Sequence, residues 1–207
     1  MISSLKVFGE RHCGTNAIGY FAGQNFNLQS QRHDFLGWKH RLAPQPAEWK
    51  KFAVENCLFI FCIRNPYSWL KAMHKEPYYE HYPKIKELSF EEFIQFSIED
   101  YENSVAMWNH KNASYLRMAS EVPNAIIIPV EKFHCSQEKI YGDLQKILDK
   151  PNAQFTPMQD YVNGRGWHDD KDIETSLATP NLDQSIIELI HASLSDEIMD
   201  KCNYQKF

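Results

Sequence analysis

The sequence predicts an α/β protein of three layers, with a mostly parallel central sheet flanked by helices. Two observations carry that expectation. Cys57-Leu-Phe-Ile-Phe-Cys-Ile63 is an unbroken apolar run of strand length, as expected of a central parallel strand buried on both faces. Shorter apolar runs at residues 5–8 and 125–130 alternate with helical patterns, the order that produces crossover connections and parallel strands. In such sheets ligands gather outside the carboxyl ends of the strands.

Residues 5–8 form a short strand ending at Gly9, and Thr15–Phe26 is the first helix. Residues 35–42 are the expected second strand, stopped by Pro44 and Pro46. The central strand ends at Arg64, and Pro66 opens a helix to about His74, since proline is accommodated in a first helical turn. Ser89 with Glu92 three residues on forms a capping box, and a longer helix covers 104–120. The strand at 125–130 precedes a helix over 136–148. Residues 151–180 show little periodicity, and 182–199 form one closing amphipathic helix.

At 207 residues the chain suits one full core, so a single domain over 1–207 is expected. A net charge of −5 argues against nucleic acid as a partner, yet allows a local basic pocket for a small anion. Cys13, Cys57, Cys62, Cys135 and Cys202 are odd in number and lack a C-x-x-C pair, which favours a reducing, cytoplasmic setting. No signal-peptide pattern precedes the first strand, and no apolar run has the length of a bilayer, so no membrane span is expected. Zinc-ligand spacings, an EF-hand loop and H-E-x-x-H are all missing, so no metal is expected.

Gly9-Glu-Arg-His-Cys-Gly-Thr-Asn16 joins the first strand to the first helix with G-x-x-x-x-G-T spacing. That is the spacing of a P-loop, in which backbone N–H groups and a helix N-terminus hold phosphate oxygens. The lysine that nucleotide kinases place after the second glycine is Thr15 here. In this form the loop resembles the 5′-phosphosulfate loop of sulfotransferases that use 3′-phosphoadenosine 5′-phosphosulfate (PAPS). The resemblance implies a P-loop-like fold and PAPS as co-substrate. It also implies a loop lined by Cys13, Gly14, Thr15 and Asn16, with Arg11 or His12 supplying positive charge. The family's adenine-stacking tryptophan would fall at Ala17. By itself, the loop also fits a plain strand-to-helix turn.

Phe61-Cys-Ile-Arg-Asn-Pro-Tyr-Ser-Trp69 sets an arginine at the tip of the central strand, where a guanidinium makes forked bonds to phosphate. This resembles the family's 3′-phosphate motif and implies that Arg64 holds that phosphate. The family's serine eight residues on is Ala72, leaving Ser68, Lys71 or Lys75 as substitutes. Ile127-Ile-Pro-Val-Glu-Lys-Phe133 and Trp108-Asn109 extend the resemblance over about residues 5–150, with Glu131 in a structural role.

Sulfuryl transfer calls for in-line positioning, a base for the acceptor hydroxyl and cations about the bridging oxygen. Gly37-Trp-Lys-His-Arg-Leu-Ala-Pro44 resembles the family's Lys-x-His segment, implying His40 as base and Lys39 as donor to the sulfuryl or bridging oxygen. As neighbours in a regular strand they would face opposite ways, so a bulge or displacement is expected. His12, His33 and His110 are further candidates for the base. Asn163-Gly-Arg-Gly-Trp167 resembles the family's late Arg-Lys-Gly loop. It implies Arg165 at the 3′-phosphate, with Tyr161 or Trp167 at adenine or acceptor. The acceptor is expected to be a small-molecule or glycan hydroxyl, with Trp38, Tyr67, Trp69, Tyr78 and Tyr79 suited either to a stacking wall or to the core. Two other functions suit the same motifs: a kinase-like P-loop phosphotransferase and a non-catalytic nucleotide-binding protein.

Overall fold

The computed structural model describes residues 1–77, 82–158 and 182–207. In chain order the elements are β1 (Ser4–Gly9), α1 (Thr15–Phe26), β2 (Gln29–Ser30), α2 (Pro46–Trp49), β3 (Cys57–Ile63) and α3 (Pro66–Lys75). They continue with α4 (Phe90–Gln95), α5 (Ser104–Glu121), β4 (Ala125–Pro129), α6 (Val130–Cys135), α7 (Gln137–Leu148), α8 (Gln184–Ser193) and α9 (Asp196–Lys201). The four strands are all parallel, in the order β2-β1-β3-β4.

Every residue of β3 is buried, which is why that strand carries no polar side chain. Phe61 stacks on Phe8 of β1 with ring centroids 5.8 Å apart. Each such ring contributes roughly 1.5–3 kcal/mol when taken out of water. α1 packs with α7, and α3, α4 and α5 form a second group of helices. The predicted α/β architecture is therefore present.

Local signals act where they were expected. Pro66 opens α3, and the Asn65 side chain accepts from Tyr67 N at 3.0 Å. Ser89 Oγ accepts from Glu92 N at 3.2 Å while Glu92 Oε2 accepts from Ser89 N at 2.7 Å, closing the capping box.

Three expectations need correction. The second strand lies at Gln29–Ser30, while residues 35–42 form turns. Leu36 and Gly37 have φ values of 63° and 83°, which end any extended run, and Gly9 N donates to Lys39 O at 3.0 Å as an isolated contact. The expected closing helix is two helices. Ser195 accepts from Ile198 N to start α9, and the Asn109 side chain of α5 answers both backbone groups at the break. It donates to Ser193 O at 2.6 Å and accepts from Ser195 N at 3.2 Å. Finally, Val130 belongs to α6, a short helix that leaves β4 directly at Pro129.

Candidate functional site

From β1 the chain runs out to β2 at one edge, then returns past β1 to β3 on its other side. The carboxyl ends of β1 and β3 are thus a switch point, where departing connections diverge and leave a crevice. Register pairs Gly9 with Cys62, so the loop at 9–16 and Arg64 emerge side by side.

Two glycines let the loop take this path. A Cβ on Gly9 would lie 2.6 Å from Cys62 O, so only glycine lets β1 end this close to β3. Gly14 caps α1 with a left-handed φ of 72°, and a Cβ there would lie 2.8 Å from Val130 Cγ2.

The loop's carbonyls are engaged one by one. Gly9 O accepts from His40 Nδ1 at 2.5 Å, and Glu10 O from Cys13 N at 3.2 Å. Arg11 O accepts from Trp69 Nε1 and His12 O from Arg64 Nη1, each at 3.0 Å. Gly14 offers α1 no side-chain cap. The first N–H groups of α1, at Gly14 to Ala17, are the orphan donors that suit an anion.

Arg64 is partly buried, and its Nε donates to Ser68 Oγ at 3.0 Å. Ser68 therefore orients the guanidinium. Glu131 Oε1 accepts from Asn65 N at 2.8 Å, and its Oε2 from Tyr204 OH at 3.0 Å. No carboxylate lies within 4.0 Å of Arg64 among the described residues. Burial holds its pKa below the usual arginine value, though a guanidinium keeps its proton. Among the described residues, Glu131 is the carboxylate whose charge acts on Arg64, from beyond ion-pair distance.

Lys39 and His40 both reach this loop, and no bulge is involved because the segment is not a strand. Lys39 Nζ donates to Asn16 Oδ1 at the start of α1. His40 is 9% exposed, with Trp38 edge-on at 4.9 Å. Since Gly9 O can only accept, Nδ1 carries the ring proton and Nε2 is the acceptor. Burial pushes the His40 pKa down to about 4, and nearby Lys39, Arg11 and Lys111 lower it further against the bond to Gly9. The ring is neutral at pH 7.

A buried ion pair went unread in the sequence. Lys111 of α5 is 2% exposed and Glu10 is 3% exposed, and Nζ stands 3.0 Å from Glu10 Oε2. The same ammonium donates to His40 O at 2.6 Å and lies 3.5 Å from Glu99 Oε2. It ties the loop to the His40 segment. The available signal was a lysine on the apolar stripe formed by Met107, Trp108, Tyr115 and Met118. α5 also holds residues 41–44: Tyr115 OH donates to Arg41 O at 3.1 Å, and Arg117 Nη2 to Pro44 O at 2.8 Å.

The remaining candidates are scattered. Arg11 Nη1 is 3.5 Å from Pro77 O, and His12 Nε2 is 2.9 Å from Glu76 O, so both lean toward the end of α3. Burial holds His12 below the usual histidine range. Cys13 is buried, with its thiol pushed well above the ordinary value by burial, so only its backbone can serve a ligand. His33 is exposed beside Lys39 along a groove, and His110 is exposed on α5 near Tyr101. Lys71 and Lys75 are exposed on α3. Tyr67 and Trp69 are wholly buried and so are core residues rather than a stacking wall, whereas Trp38 is exposed. Tyr78, Tyr79, Tyr161, Arg165 and Trp167 lie outside the described residues.

Among the described residues no helix is long and apolar enough to cross a membrane, and no group of three His, Cys, Asp or Glu side chains is arranged to hold a metal. No protein-family model matches the chain, and no curated protein matches it significantly.

Proposed function

We propose that the protein is a sulfotransferase that moves a sulfuryl group from PAPS to a small-molecule or glycan hydroxyl. The observation that carries this reading is Arg64, which has no carboxylate within 4.0 Å among the described residues and donates to the loop at the switch point. The uncapped start of α1 and the Arg64 guanidinium are two anion-holding groups side by side. They suit a nucleotide with charge at both its 5′ and 3′ ends. The five free cysteines fit a cytoplasmic setting.

In the proposed reaction the acceptor oxygen attacks sulfur while the bond from sulfur to the 5′-phosphate oxygen breaks. The products are the sulfated acceptor and 3′-phosphoadenosine 5′-phosphate (PAP). His40 Nε2 takes the hydroxyl proton, and Lys39, beside Asn16, donates to the bridging oxygen as charge develops there. A pKa of about 4 makes His40 a weak base in the free protein. An anionic co-substrate alongside favours the imidazolium and raises the ring's pKa toward neutral pH, so binding primes the base.

Ligand-dependent thermal unfolding tests the reading. PAP should bind about 10- to 100-fold more tightly than AMP, the value of a charged hydrogen bond to the 3′-phosphate. Arg64→Ala should lose most of that difference. Equal stabilisation of the parent by PAP and AMP removes the support for a sulfotransferase. Stronger stabilisation by ATP–Mg²⁺ than by PAP turns the reading to a phosphotransferase.

A further inference from the structure

Beside Lys39 the sheet has an open edge. β2 stops after two residues, leaving Lys6 and Val7 of β1 lining a groove of roughly 730 Å³. The groove runs from Asn16 and Lys39 along α1 to Asn27.

Among the described residues, the charged part of its lining is cationic. Among the described residues, Lys6, Arg32 and Lys39 line it together with no Asp or Glu, in a chain whose net charge is −5. None of the three lies within 4.0 Å of a carboxylate among the described residues. Lys6 is the most telling. It is 3% exposed, and Nζ donates to Arg32 O at 2.7 Å and Gly37 O at 2.8 Å. An ammonium has three donors, so one N–H remains beyond these two bonds, and Nζ lies 5.5 Å from the centroid of the Phe8 ring. Burial pushes the Lys6 pKa down to about 8, and Asp34 opposes this only as a lesser influence. An ion buried in this way is costly unless paired, and the groove is where a partner can enter.

The neutral part of the lining is rich in amides. Gln24, Gln29 and Gln31 each both donate and accept, as a sugar hydroxyl does. Tyr20, 46% exposed, presents an aromatic ring on the same wall. A bare inorganic anion would leave the amides unused, and an apolar ligand would leave the cations unpaired.

We propose that this groove binds an acidic carbohydrate, its carboxylate or sulfate groups on the cations and its hydroxyls on the amides. The proposal rests on the sulfuryl-transfer reading and names the acceptor class for it. The groove ends at Lys39 and Asn16, which brings one hydroxyl of the chain to the loop.

Calorimetry on the PAP-loaded protein tests this with four probes: a hyaluronan tetrasaccharide, sulfated maltotetraose, plain maltotetraose and tetraglutamate. Whichever acidic tetrasaccharide binds more tightly identifies the acid group. It should exceed both maltotetraose and tetraglutamate by about tenfold. Arg32→Glu, at an exposed position, should weaken it by about tenfold and leave PAP affinity unchanged. Equal binding of plain maltotetraose overturns the proposal, as does equal or tighter binding of tetraglutamate. Failure of both acidic sugars on a protein that binds PAP overturns it too. Sugar binding by a protein that ignores PAP would keep the groove and sink the sulfotransferase reading.

Discussion

Residues 9–16 take their path from elements on either side of them. β1 pairs with β3 up to Gly9, α1 begins at Thr15, and Arg64 and Trp69 from the next strand-helix unit secure the carbonyls between. Residues 37–44 have no such frame, being neither strand nor helix. Lys6 holds Gly37 O, Lys111 holds His40 O, Tyr115 holds Arg41 O, and Arg117 holds Pro44 O. The loop at 9–16 is thus shaped by backbone pairing and helix geometry, and the segment with the proposed base by side chains from α5 and β1. Substitutions in α5 should therefore disturb chemistry without touching the loop's own sequence.

The largest expected effect separates the two regions directly. His40→Ala should slow sulfuryl transfer by about 10²–10⁴-fold while PAP affinity stays within about twofold, as for loss of a general base. Steady-state rates with an identified acceptor, alongside PAP calorimetry, check it. Undiminished turnover would move the proton to another group, such as His33, which lines the same groove as Lys39.

Lys111→Met should destabilise the fold by about 3–5 kcal/mol, because Glu10 would be left buried and charged. Adding Glu10→Gln should restore part of that loss. Urea unfolding of the parent, the single variant and the double variant measures both steps. A Lys111→Met protein of parental stability would show that the two regions are not tied through α5.

The smallest effect is in pH. His40 titrates at about 4 in the folded chain against about 6.5 when unfolded, so the unfolded state binds more protons between those values. Its contribution to stability is complete above pH 6.5 and falls as pH drops toward 4, by up to about 3 kcal/mol. Unfolding curves of the parent and of His40→Asn at pH 7 and 4.5 should diverge in that direction. Parallel curves would mean that the ring is not buried as a neutral group.

The elements that frame the candidate site were legible because each is short and contiguous. The loop with α1 and the β3 tip with α3 each occupy one stretch of chain, and Thr15–Phe26 and Cys57–Ile63 lie where their patterns put them. The segment holding Lys39 and His40 reads as a strand in sequence and is a turn in the structure, since nothing local announces that Leu36 and Gly37 turn the chain. The sequence leaves Tyr67 and Trp69 open between a stacking wall and the core, and both bury completely in the core. An aromatic residue suits a core and a binding wall equally well, and burial alone separates the two.

By itself the sequence determined the alternation of strands and helices, the glycine-framed loop and the arginine at the end of β3. Each depends on periodicity, capping or backbone freedom within a few residues. Only the tertiary structure decided that β1 lies between β2 and β3, which makes the switch point, and that a two-residue β2 leaves the groove open. It alone joined Lys111 to Glu10 and His40, and Asn109 to the break between α8 and α9. A buried charge or an open backbone group must find a partner, but the partner need only be near in space. His40 and Lys111 stand 71 residues apart, and packing of α5 against the sheet is what brings them together.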